Sequence, residues 1–201
     1  MGWKISGSYN GARITGDGKA GALLALKNVD KPFPLEAKLN VGKTVIRVNG
    51  TITKPQELAA IDMRLYLAGA SMADLYPLTG ITLPKTPEFS TEGHLIGVTD
   101  KRGGKWTYEK FKGKVGDSDI AGSLVYEAKQ PRPLLSGTVV SNLLQLSDLG
   151  PVIGADSNES KKERGVAANQ PANKVLPVEK FTTERWGSID ADVKITGHKI
   201  V

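Results

Sequence analysis

The feature that most limits what this chain can fold into is a repeat at a fixed offset of 74 residues. Residues 70–80, ASMADLYPLTG, align without a gap on residues 144–154, LQLSDLGPVIG. Both carry the motif D-L-x-P-x-x-G, running from Asp74 to Gly80 and from Asp148 to Gly154. Upstream, the same offset pairs Val41-Gly42 with Val115-Gly116, Thr44 with Ser118, Ile46 with Ile120, Ile61 with Leu135 and Leu65 with Val139. Repeated supersecondary units bury apolar faces on one another and build extended surfaces. That organisation suits a scaffold or conduit better than a single catalytic pocket.

The local pattern between the repeated landmarks has period two. Phe33, Leu35, Ala37, Leu39 and Val41 alternate with polar residues, as do Ile61, Met63, Leu65 and Leu67. Ile120, Leu124 and Tyr126 share one face, opposite Asp119, Ser123 and Glu127, and Ile189, Ala191, Val193 and Ile195 repeat the pattern. Such alternation describes strands with one apolar and one wet face. Because 74 is even, the offset keeps phase, so Ile61 and Leu65 point the same way as Leu135 and Val139. The expected fold is all-β and antiparallel, a curved, repeating sheet with short helical or loop insertions. Residues 41–80 and 115–154 are expected to form two successive, superposable layers within one region spanning 1–201. Gly16-Asp17-Gly18 and Arg102-Gly103-Gly104 are read as turns between strands. Ser71 to Asp74 fits an S-x-x-[DE] cap, predicting a helix of a turn or two stopped by Pro77 and Gly80. The second copy, with Gln145 in the serine position, is capped more weakly.

One segment breaks the repeat. Leu83-Pro84 and Phe89 match Leu176-Pro177 and Phe181, but at a spacing longer by 19 residues. The insertion, residues 155–175, is polar and nearly free of large apolar side chains, so a disordered loop is expected there.

Composition excludes several chemistries. There is no cysteine, hence no thiol catalysis, disulfide or cysteine-bound metal. The net charge is +6, but Lys and Arg are scattered with no basic stripe, which argues against nucleic acid and for a solvated basic surface. No apolar run approaches the ~20 residues a membrane-spanning helix needs. The abrupt strand-like ends, Trp3-Lys4-Ile5 and Ile189 to Val201, suggest an internal piece of a longer protein.

The motifs with catalytic associations fail on context. Gly16 to Gly21 satisfies G-x-G-x-x-G, but a dinucleotide site needs the third glycine to open a helix in a βαβ unit, and Pro32 and Pro34 follow instead. Asp117-Ser118-Asp119 resembles a metal-binding D-x-D but reads equally as a turn entering a strand. His94 and His198 stand in strand-like segments without a metal-ligand partner at useful spacing. No nucleophile elbow or P-loop is present. The expectation is a non-enzyme with no cofactor and no metal.

Residues 69–87, GASMADLYPLTGITLPKTP, resemble the AsmA family of bacterial envelope proteins. So do residues 113–122, GKVGDSDIAG, the segment Arg132 to Gly137, Ser147 to Pro151 and Ser188 to Val193. The resemblance implies a periplasmic protein anchored in the inner membrane of a Gram-negative bacterium, with the anchor and membrane contact outside this segment. It implies β-repeats forming a half-pipe with an apolar lining, a role in outer-membrane biogenesis, and carriage of phospholipid or another lipid between membranes. The lining would then be Ile46, Val48 and Ile52, then Ile61, Met63, Leu65 and Leu67, continuing into Ile120, Leu124, Leu135 and Val139. Burial at ~0.8 kcal/mol per CH₂ would drive acyl-chain binding. The other reading is a structural module that supports outer-membrane protein assembly, with outer-membrane assembly components as partners and the apolar face simply a core.

Overall fold

A computed structural model describes residues 1–22, 31–55, 59–80, 83, 85–100, 103–145, 148 and 189–201. The expected disordered insertion, Leu176-Pro177, Phe181 and the end of the second D-L-x-P-x-x-G motif lie outside these residues. Ten strands are formed: β1 (Gly2–Tyr9), β2 (Ala12–Ala20), β3 (Phe33–Val41), β4 (Thr44–Thr53), β5 (Ala60–Gly69), β6 (Phe89–Asp100), β7 (Gly103–Val115), β8 (Ser118–Glu127), β9 (Leu134–Leu144) and β10 (Asp190–Ile200). A 3₁₀ turn at Met72–Leu75 runs into a helical turn, α1, at Tyr76–Thr79. The sheet is open and its spatial order is the chain order, β1 through β10. Neighbours are antiparallel except β9 and β10, which are parallel. The all-β, antiparallel expectation holds, with that one parallel exception.

The two repeats are therefore consecutive stretches of one sheet, which corrects the expectation of two layers. Strands joined by tight turns pair edge to edge, and a turn such as Val41-Gly42-Lys43-Thr44 brings β4 beside β3 rather than over it. Gly42 and Gly116 both take φ of 58° at the equivalent turns, a left-handed conformation that glycine adopts without strain. Residues 16–18 are a second correction. Gly16, Asp17 and Gly18 lie inside β2 and form no turn, while Gly103 and Gly104 open β7 directly after the reversal from β6, where Asp100 pairs with Gly103; Arg102 lies outside the described residues. A Cβ at Gly16 would collide with Leu39 across the strand pair, and one at Gly18 with the ring of Trp3. These glycines make room for side chains on adjacent strands.

The predicted cap is present. Ser71 Oγ accepts from the Ala73 amide (3.3 Å) and from the Thr86 amide (2.9 Å), and Gly80 ends α1 in the left-handed conformation. Asp148 is helical, and its amide donates to the Gln145 carbonyl at 3.1 Å, as the Asp74 amide does to the Ser71 carbonyl at 3.1 Å. The two motifs begin with the same backbone turn.

Candidate functional site

Strand register shows which side chains share a face. In β4 and β5, Ile46 pairs with Leu67, Val48 with Leu65, Gly50 with Met63 and Ile52 with Ile61. Cross-strand partners project to the same side. Following the pairs outward, Leu65 meets Gly93 and Met63 meets Leu95 in β6, while Leu95 meets Tyr108 in β7 and Tyr108 meets Leu124 in β8. Gly113 pairs with Ile120, Tyr126 with Leu135 and Gly122 with Val139, and β10 adds Ala191, Val193 and Ile195. All eleven expected lining residues thus fall on one continuous face that crosses the whole sheet. The aromatic Trp3, Phe33, Phe89, Trp106, Tyr108, Phe111 and Tyr126 join them on it.

The face is not uniform along its strands. At the end nearest α1, Val41, Thr44, Phe89, Val115 and Ser118 are 0–3% exposed. There Leu75, Phe89, Phe111, Val115, Ile120 and Leu144 form one packed cluster, with Met72, Leu78 and Leu83 closing over it. Of the expected lining, Ile46 and Ile120 are buried at this end, and Leu67, Leu124 and Val139 pack near or against the cluster. Met63 is buried in mid-sheet. Val48, Ile52, Ile61, Leu65 and Leu135 are only partly buried, and among the described residues no helix or second sheet covers them. Among the described residues, the face is a core at one end of its strands and a trough at the other.

A β-bulge completes the face in a way that alternation could not reveal. Two residues of β7, Glu109 and Lys110, stand opposite the single Ser123 of β8, and Lys110 takes φ of 51°. The extra residue puts Tyr108 and Phe111, three apart in sequence, on the same side, where their rings stack at 5.2 Å and 7°. The Tyr108 hydroxyl reaches across Gly93 to the Leu65 carbonyl (3.3 Å) and the Thr91 hydroxyl (3.1 Å). Burial raises its pKa above 10.0. Leu95, Trp106, Tyr108 and Phe111 were absent from the expected lining. A strict period-two reading loses phase at the bulge, although the aromatic cluster at residues 106–111 was a visible signal.

The opposite face is wet and charged. Arg64 pairs with Glu92 at 2.8 Å, and the Arg47 guanidinium lies 4.3 Å over the Tyr66 ring. A shallow cavity of about 420 Å³ on this side is lined by both signs of charge, including Asp17, Lys38, Arg47 and Glu92. His94 sits between Asp62 (2.7 Å to Nε2) and Glu109 (3.1 Å to Nδ1). A neutral imidazole has one N–H, so only the imidazolium donates to both carboxylates. The contact with Asp62, then that with Glu109, raises the His94 pKa above 6.5. His198 stays in β10 without a role in this cluster. Among the described residues no group of three or more His, Asp or Glu side chains is arranged to hold a metal. Asp117 and Asp119 belong to a turn and a strand start, as one of the two readings had it.

An open, mostly antiparallel sheet with one continuous apolar face and a repeat at an offset of 74 residues defines an open-sheet β-repeat protein. The model of the AsmA family matches residues 1–201, and the chain belongs to that family. It is 44% identical over 208 residues to "AsmA family protein YhjG" of Escherichia coli (strain K12), an alignment that covers 100% of this chain and 30% of that relative. The chain thus spans about a third of the length of the curated relative it matches. No solved structure matches it.

Proposed function

We propose that this chain is a non-enzymatic module of the bacterial envelope that binds or conducts phospholipid acyl chains along its apolar face. Membership in the AsmA family supports an envelope-related role. The observation that carries the lipid reading is the half of that face that no described helix or second sheet covers, with Val48, Ile52, Ile61, Leu65 and Leu135 partly exposed along one side of an open sheet. A contiguous apolar surface of this kind marks a partner or ligand site rather than ordinary surface. Apolar transfer supplies the driving force, and nothing need be chemically transformed. In this reading the module works in the periplasm between inner and outer membranes, held by an inner-membrane anchor elsewhere in the protein.

The closed end favours a second reading for part of the molecule. The packed cluster around Phe89 and Val115 is a structural core, consistent with a scaffold that supports outer-membrane assembly without itself holding lipid. Native mass spectrometry of the purified chain, before and after incubation with phospholipid vesicles, separates the two. Bound phospholipid at defined stoichiometry is expected; a clean apo mass under both conditions leaves the scaffold.

A further inference from the structure

The polar cluster on the wet face is coupled through the backbone to the aromatic pair on the apolar one. His94 stands on β6 between Asp62 of β5 (2.7 Å to Nε2) and Glu109 of β7 (3.1 Å to Nδ1), so one ring ties three strands. The other charged groups around it are Arg64, opposite His94 on β5 and bonded to Glu92 at 2.8 Å, and Lys112, opposite Glu92 on β7, with Lys110 beside Glu109 in the bulge. Glu109 is itself one of the two bulge residues, and the other, Lys110, donates its amide to the Ser123 hydroxyl at 3.1 Å. The bulge is thus held from β6 by the imidazole and from β8 by that hydroxyl. On the apolar side, Gly93 is the floor of the Tyr108–Phe111 stack. A Cβ there would come within 2.8 Å of the Tyr108 ring and 2.7 Å of the Phe111 Cβ. Successive residues of a strand face opposite ways, so His94 and the ring pair sit back to back across one peptide.

We infer that His94 is a proton-operated clip: its imidazolium locks the Glu109–Lys110 bulge and, through it, the Tyr108–Phe111 stack on the opposite face, and loss of the proton releases both. The clip does not require that the apolar face hold lipid. A neutral imidazole has a single N–H. The shorter contact, to Asp62, keeps it, and the Nδ1 lone pair then faces the Glu109 carboxylate with nothing to donate. Glu109 is also the less exposed carboxylate, with 32% of its side chain accessible against 69% for Asp62, so it has less water to turn to. The bulge residue is therefore the one that gives way. The clip is closed in acid and opens as pH rises through the folded-state pKa of His94, which lies above 6.5.

Nuclear magnetic resonance of the whole chain from pH 5 to 9 tests the clip through three signals. The first is the His94 ring, told apart from that of His198 by His198→Gln. The second is the Tyr108 and Phe111 ring resonances, each lying in the other's ring current. The third is protection of the Lys110 amide against hydrogen exchange, taken relative to the unstructured rate at each pH so that base catalysis cancels. All three should share one midpoint, with Lys110 protection falling about threefold across it, the scale of one exposed charge pair. In His94→Gln the ring resonances and the protection should show no such step. In Glu109→Gln the side-chain amide accepts from a charged imidazole and donates to a neutral one, so His94 should still titrate while the step in the other two signals is lost. Tyr108 and Phe111 resonances that stay fixed in the parent while His94 titrates overturn the clip, as does a step that persists in His94→Gln. A step in Glu109→Gln equal to the parent's overturns the bulge as its target. The parent titration decides even where a variant fails to fold.

Discussion

The two repeats make the same turn and the same apolar phase but solve their polar contacts differently. In the first, the Thr44 hydroxyl reaches the Asp74 backbone carbonyl at 3.4 Å. In the second, Ser118 turns to the Asp148 carboxylate, whose Oδ2 accepts from the Ser118 hydroxyl (2.9 Å), the Ser118 amide (3.0 Å) and the Asp117 amide (2.9 Å). Strand pairing differs too. The β4–β5 ladder runs to Thr44 and Gly69, whereas the β8–β9 ladder stops at Ala121 and Val140. Beyond that point Asp119, where the first repeat has Val45, accepts from the Leu143 amide (2.7 Å) and from the Asn142 amide (3.1 Å) and side chain (3.0 Å). A carboxylate substitutes for ladder bonds. Duplication preserved the pattern that buries apolar area and left the backbone's remaining donors to be satisfied by whichever acceptor was at hand.

The apolar face shows the same exchange in volume. Gly50 pairs with Met63 in the first repeat; at the equivalent positions of the second, Leu124 pairs with Gly137. Small–large has become large–small. A Cβ at Gly50 would clash with the Asp62 carbonyl and Met63, and one at Gly137 with the Ser123 carbonyl, with Gly137 at φ of 144°. The largest effect is therefore expected from Gly50→Leu, which copies the second repeat into the first on one strand only. It should destabilise by about 3 kcal/mol in denaturant unfolding. Adding Met63→Gly restores the second repeat's pairing and should recover at least about 1 kcal/mol, the coupling expected of contacting residues. Strict additivity would break the comparison.

The next effect sharpens the polar difference. Asp148→Ala leaves the Asp117 and Ser118 amides and a buried hydroxyl without their charged acceptor, and should cost about 2–3 kcal/mol. Asp74→Ala removes a carboxylate that makes no such turn contact among the described residues, and should cost under about 0.5 kcal/mol. Equal losses in thermal melts would mean that the two aspartates do the same work.

The smallest effect is in pH dependence, where two sites act with opposite sign. The amides of Leu143 and Asn142 hold the Asp119 pKa below 3.8. Its contribution is present above the unfolded value and lost as pH falls through the folded one. The pKa of His94 is raised above 6.5, so its contribution is complete below that value and is lost as pH rises through the folded one. Both groups are partly exposed, and solvent screening keeps the effects modest. Stability curves of Asp119→Asn should lose part of the acid-side decline, and those of His94→Gln part of the decline above neutral pH. A His94→Gln curve parallel to the parent from pH 6 to 9 would show that the imidazolium clip contributes nothing.

Much of this fold was legible in the sequence because alternation is a local property. Ile61, Met63, Leu65 and Leu67 declare a face without reference to anything distant, and an even repeat offset carries that face into Leu135 and Val139. The V-G-x-[ST] turns and the Ser71 cap are equally local. By itself the sequence determined an all-β repeat, a run of residues on its apolar side from Ile46 to Val139, and the resemblance to its family. Only the tertiary structure decided that the repeats extend one sheet, that β10 joins it in parallel, and that a bulge aligns Tyr108 with Phe111. It also decided which end of the face is core and which is trough, because closure depends on Leu75 and Met72 folding back over Phe89 and Val115. The caps at Asp148 and Asp119 join residues 22 to 31 positions apart, and glycines such as Gly16 and Gly18 are set by neighbours on other strands. Contacts of that reach leave no period in the chain; they exist only once register has brought the strands together.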